Sequence, residues 1–145
     1  MSDPLYKRDL LRLAANATGS GRLADPCGTA TAHNPTCGDK VVMDVIVDDG
    51  RIAALAHHTM ACVLTQASAA ILGADATGMS RDEVEVLHAA VSAMLEGGPA
   101  PHAPFDSFAV FDGVADHKNR HKCVLLPIEA VLAALAASEG GEAAG

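Results

Sequence analysis

The sequence predicts an α+β domain: a three-stranded antiparallel sheet with an N-terminal helix and C-terminal helices packed on one face. Three observations carry this reading. Extended segments at Thr29 to His33, Lys40 to Val47 and Arg51 to Thr59 follow one another with short connections, the first two rich in β-branched residues. Asp48-Asp49-Gly50 between the second and third is a hairpin turn pattern. Residues Cys62 to Ala74 are apolar and small, with Ala67, Ser68, Ala69, Ala70 and Gly73, as expected where a helix lies close on a sheet.

The remaining elements follow in order. Leu5, Tyr6, Leu10, Leu11, Leu13 and Ala14 recur at helical spacing among charged residues, so Pro4 to Ala15 reads as a short amphipathic helix. Gly19 and Gly21 end it. Arg22 to Pro26 reads as a connecting loop, with Arg22 a solvated side chain. Ser80 with Glu83 forms a capping box, and Val84, Val86, Leu87, Val91, Met94 and Leu95 continue a second covering helix. Gly97-Gly98-Pro99 stops it. Pro99 to Asp116 reads as a loop whose Phe105, Phe108, Val110 and Phe111 pin it to the body. His117 to Leu126 reads as helical, and Pro127 suits the first turn of a last helix ending at Ala137. Residues 1–137 thus make a single domain, and the Gly-, Ala- and Glu-rich 138–145 a flexible tail.

A chain of 145 residues suffices for one sizeable core. Its formal net charge of −8 argues against non-specific nucleic-acid binding, which needs a basic surface. No apolar run approaches the roughly 20 residues of a membrane span, and no signal segment opens the chain. The expectation is a cytoplasmic protein that uses neither nucleic acid nor membrane. Four cysteines in such a setting are ligands or reactive thiols rather than disulfides. No C-x-x-C occurs among them, so any site must be assembled from remote segments.

The chemistry gathers around Asn34-Pro35-Thr36-Cys37-Gly38-Asp39. Pro35 fixes its own φ and pushes Asn34 extended, while Gly38 permits a sharp turn between a thiol and a carboxylate. Cys62 falls at a helix start, where free N–H groups and the helix dipole favour a thiolate. Cys123 follows Lys118, Arg120, His121 and Lys122. Cys37, Asp39, Cys62 and Cys123 are therefore the candidate ligands, for zinc or an iron–sulfur unit, with Arg120 or Lys122 offsetting the surplus negative charge. Cys27 has no such context and reads as structural. Any one cysteine is commonly just a small buried hydrophobe. Cys37, between Pro, Gly and Asp, is the least suited to that role.

The histidines are weaker candidates. Strict alternation puts His57 and His58 on opposite faces of a strand, so at most one points inward. His121 lies about 200° round an ideal helix from Cys123. His121, His117, His88 and His102 read as solvated. His33 either borders the metal loop or is a surface polar residue, the commoner case.

These motifs resemble the iron–sulfur cluster assembly scaffolds of the IscU, SufU and NifU-N-terminal type. Residues 34–39 match that family's N-P-x-C-G-D hexapeptide in full. Ala61-Cys62 through Ala67-Ser68 resembles its G-C-x-x-x-x-A-S helix start, with Ala61 in place of the usual glycine. Arg120-His121-Lys122-Cys123 resembles its R-x-[RK]-C segment. The likeness covers roughly residues 5–137 and implies the SufE/NifU-like fold. Lys122, where IscU-like members carry histidine, and the long interval from Cys62 to Cys123 are closer to the SufU-like subtype. That resemblance implies zinc held by Cys37, Asp39, Cys62 and Cys123, with Cys37 accepting persulfide sulfur from a SufS-type cysteine desulfurase. A first alternative is a scaffold that builds a [2Fe–2S] cluster on the same ligands and passes it to apoproteins or other assembly factors. A second is a structural zinc module that binds a protein partner. A zinc hydrolase using His33 as base has least support, since no H-E-x-x-H pattern occurs.

Overall fold

The computed structural model describes residues 8–35 and 38–144, with side chains through residue 139. Strands β1 (Gly28–Asn34), β2 (Asp39–Asp48) and β3 (Arg51–Met60) form one antiparallel sheet in that spatial order. Asp49 and Gly50 join β2 to β3 with φ of 54° and 75°. Both are left-handed, which matches the twist of the strands they connect.

Alternation along β2 sets the layers. Val41, Met43 and Val45 are fully buried and belong to the same core as Leu64, Ile71, Val124, Ile128 and Val131 of the helices. Each fully buried side chain of this size contributes about 1.5–3 kcal/mol. Helices α1 (Arg8–Asn16), α2 (Val63–Asp75), α3 (Arg81–Leu95) and α4 (His121–Ala144) supply the cover. α4 lies along β1 and β2, α2 against β3 and α4, α1 against α2, and α3 against α4. Two glycines permit the closest approaches. A Cβ at Gly28 would sit 2.1 Å from the Ala134 carbonyl oxygen of α4, and one at Gly73 of α2 would sit 2.0 Å from that of Thr18. The Ser80–Glu83 capping box at the start of α3 is formed in both directions.

Four expectations are corrected. The stretch read as a loop from Pro99 contains a 3-10 helix, Phe105–Val114. Phe105, Phe108, Phe111 and Val114 are its buried residues. Their spacing of three is the period of a 3-10 helix, which stacks them on one face. Adjacent phenyl rings lie 6.4 and 5.7 Å apart, so the aromatics do anchor the segment. Next, the C-terminal region is one helix rather than two: a short 3-10 turn, Lys118–Arg120, leads into α4, and Pro127 lies inside it. An internal proline costs about 3 kcal/mol, outweighed here by burial of Val124, Leu126, Ile128 and Val131. Third, the helix does not end at Ala137: Ser138 is buried and Glu139 pairs with Arg81. Finally, Arg22 is bound to the buried Asp44 instead of being merely solvated.

By length and composition the helical stretch 118–139 could cross a membrane, yet 56% of its most apolar window is buried inside the fold. Its apolarity is that of a core helix.

Candidate metal centre

The β1–β2 hairpin positions the first candidate ligand. Asn34 pairs with Asp39 across the two strands, and the Gly38 N–H donates to the Asn34 carbonyl at 2.8 Å. Gly38 has a φ of 74°, the left-handed conformation that glycine adopts without penalty. Asp39 begins β2 on the helix-covered face and is only 3% exposed. Cys37, the residue before Gly38 in sequence, lies outside the described residues.

The second candidate ligand comes with the end of β3. Lys40 pairs with Met60, which brings the following residues beside Asp39. Cys62 is the residue immediately before α2. Its N–H donates to Asp39 Oδ1 at 3.0 Å, and its Sγ is 3.5 Å from Asp39 Oδ2. The third candidate ligand, Cys123, sits fully buried in the first turn of α4. Ser68 of α2 donates to the Val124 carbonyl at 2.6 Å and ties the two helices together beside it.

The result is that one oxygen of Asp39 and the sulfurs of Cys62 and Cys123 all lie within 4.8 Å of one another. The Cys62 thiol is lowered to about 6, chiefly by a hydrogen bond from Cys123, with burial opposing and Thr65 assisting. Two soft thiols and a hard carboxylate suit zinc or iron bound to sulfur. The donor set thus fits such a group.

The other sequence candidates have the following places in the fold. Lys122 forms an ion pair with Glu129 of its own helix, so the role of offsetting the ligands' charge has a competitor. Arg120 is half-buried in the 3-10 turn before α4. His33 pairs with Lys40 on the opposite sheet face from Asn34 and Asp39, and is exposed. As alternation requires, His57 faces in and His58 out. His57 contacts the Thr18 carbonyl at 2.8 Å and Thr59 Oγ1 at 2.9 Å, and burial lowers its pKa. Two histidines read as solvated are not. The His121 side chain is 12% exposed and bonded to the Ala115 carbonyl, and His88 lies 3.2 Å from Glu129. Cys27 is exposed, its sulfur accepting the Val47 N–H at 3.5 Å.

Sequence reasoning missed two residues of the site. Asn34, 4% exposed, directs its amide at Cys123 Sγ at 3.8 Å. Thr65, fully buried, donates to Asp39 Oδ2 at 2.9 Å. Asn34 lies inside the hexapeptide, so its position was a usable signal. Thr65 offered only its one-turn spacing from Cys62.

A two-thiol, one-carboxylate centre assembled from a hairpin, a strand end and a distant helix is the class of site that this fold defines. Residues 5–124 match the model of the NifU-like N terminal domain, and the chain belongs to that family. It is 24% identical over 122 residues to the "Iron-sulfur cluster assembly scaffold protein IscU" of Thermotoga maritima, covering 84% of this chain and 86% of that protein. A protein of the same name from Streptococcus pyogenes is 28% identical over 111 residues, covering 76% and 70%. Among solved structures, the N-terminal part of a NifU-like protein from Brucella abortus superposes with a TM-score of 0.90 at 34% identity, covering 95% and 96% of the two chains. The SUF-system protein FiSufU of Fervidobacterium islandicum shares the fold, with a TM-score of 0.83 at 21% identity over 93% and 99%.

Proposed function

We propose that this chain is an iron–sulfur cluster biogenesis protein of the SufU-like subtype, which accepts persulfide sulfur at Cys37 from a SufS-type cysteine desulfurase. The observation that carries the reading is the convergence of Asp39, Cys62 and Cys123 within 4.8 Å, with Cys37 two residues before Asp39 in the sequence. The subtype is supported by Lys122 before Cys123 and by the long interval between Cys62 and Cys123, which accommodates the 3-10 helix Phe105–Val114. A cytoplasmic setting, where thiols stay reduced, belongs to the same reading.

Cys37, Asp39, Cys62 and Cys123 would hold zinc, which when bound keeps thiols deprotonated at neutral pH. The chain's own residues do the rest. Asp39 is oriented through both carboxylate oxygens by the Cys62 N–H and the Thr65 hydroxyl. Asn34 supports the Cys123 sulfur. The Cys37 thiolate attacks the outer sulfur of the desulfurase's cysteine persulfide. The donor's S–S bond breaks, a new S–S bond forms on Cys37, and the donor cysteine leaves as thiolate.

The test is to incubate the protein with a SufS-type desulfurase and free cysteine, follow alanine release, and locate the added sulfur by mass spectrometry. Stimulated release with one extra sulfur on Cys37, both lost in Cys37→Ser, is the expected result. Sulfur acceptance retained by Cys37→Ser would sink the assignment. A second reading is favoured by the scaffold names of the two curated relatives: the same ligands receive iron and sulfide, build a [2Fe–2S] cluster and hand it to apoproteins. No stimulation of the desulfurase, with a cluster formed from supplied iron and sulfide, would select that reading.

A further inference from the structure

Thr65 sits where an ordinary helical threonine would bond backwards. In a helix its hydroxyl usually seeks the carbonyl three or four residues earlier. Here those carbonyls already accept from Gln66: its side-chain amide reaches the Ala61 oxygen at 2.9 Å, and its N–H reaches the Cys62 oxygen at 3.0 Å. The Thr65 hydroxyl points instead into the metal centre. It donates to Asp39 Oδ2 at 2.9 Å and stands 3.5 Å from Cys62 Sγ. Thr65 has 0% exposure, so this bond is made away from bulk solvent.

The carboxylate is thereby fixed at both ends. Oδ1 takes the Cys62 N–H at 3.0 Å and Oδ2 takes the Thr65 hydroxyl. Rotation of the carboxyl group would break both bonds at once. The geometry points to Thr65 as the positioning residue of the metal site: through one hydroxyl it holds the Asp39 carboxylate in ligating orientation against the Cys62 sulfur. This rests on the reading of Asp39, Cys62 and Cys123 as metal ligands, and adds a residue that touches no metal itself. Partners of this kind typically contribute 10- to 100-fold to metal affinity.

The test uses Co²⁺, whose thiolate charge-transfer absorption reports its own ligands, titrated into the full chain against a competing chelator. Thr65→Val keeps the side-chain shape and removes the donor; Thr65→Ser keeps the donor. Thermal unfolding of each metal-free protein separates site effects from folding effects. Thr65→Val should weaken Co²⁺ binding by about 10- to 100-fold and shift the absorption band, with Thr65→Ser close to the parent. Equal affinity and an unshifted band in Thr65→Val overturn the proposal. So does equal weakening of both variants in step with their metal-free stability, which would make Thr65 a packing residue. A parent protein that binds no Co²⁺ through thiolates would instead remove the metal-site reading on which the proposal stands.

Discussion

β2 carries two buried carboxylates on opposite faces, Asp39 and Asp44, and they are treated in opposite ways. The Asp44 side chain is fully buried, yet Arg22 approaches both its oxygens, at 2.7 and 3.1 Å. The Thr29 hydroxyl at 2.6 Å and the Leu23 N–H at 3.1 Å complete the set. Asp39 also accepts hydrogen bonds, from the Cys62 N–H and the Thr65 hydroxyl, but among the described residues no cationic side chain pairs with it, and its neighbours are two thiols. Burying an ionised carboxylate is costly unless a counter-charge is near. At Asp44 the chain supplies that charge itself. At Asp39 it places two thiols beside the carboxylate instead, a donor set that suits a cation from outside. The contrast separates a structural ion pair from a candidate binding site.

Three changes test this contrast. Asp39→Asn keeps the shape and should lower Co²⁺ or Zn²⁺ affinity by at least about 100-fold, more than loss of a supporting residue costs. Metal-free stability should change little in urea unfolding, since no internal ion pair is lost; a collapse there would make Asp39 structural. Arg22→Ala should behave conversely, losing about 2 kcal/mol of stability, as for a hydrogen bond to a charged group, with metal affinity unchanged. Its pH dependence is a sharper check. Hydrogen bonding from Arg22 is the main cause that lowers Asp44 to about 2. A depressed carboxylate stabilises the fold above its unfolded value of about 4 and loses that contribution as pH falls. The parent should therefore weaken between about pH 4 and pH 2, and Arg22→Ala should lack this component. The smallest effect concerns Ser138, whose buried hydroxyl has no partner among the described residues. Ser138→Ala should be neutral or stabilise by up to about 1 kcal/mol; a marked loss would mean that the hydroxyl is satisfied after all.

The legible parts of the sequence were those with a short local rule. The hairpin at Asp49-Gly50, the Ser80–Glu83 box and the alternation that buries His57 but exposes His58 each follow from a few neighbouring residues. The choice of Asp39, Cys62 and Cys123 as candidates also began from short motifs, and folding brings their donor atoms within 4.8 Å of one another. What was not legible depended on period or on tertiary partners. Phe105, Phe108, Phe111 and Val114 obey a period of three, which neither a helix nor a strand template matches. Pro127 marks a helix start by local preference, and only the buried side chains around it show why α4 continues through. Arg22 looked solvated because its partner Asp44 lies a strand away. Thr65 carried no local signal beyond its one-turn spacing from Cys62, and only the fold puts Asp39 beside it.

The most direct measurement of the central claim is X-ray absorption at the metal edge of the zinc-loaded full chain. Zinc held by Cys37, Asp39, Cys62 and Cys123 should show three sulfur neighbours at about 2.3 Å and one oxygen at about 2.0 Å, with one sulfur lost in Cys37→Ser and the oxygen shell altered in Asp39→Asn. A shell of nitrogen and oxygen alone, or one unchanged by either substitution, would contradict it.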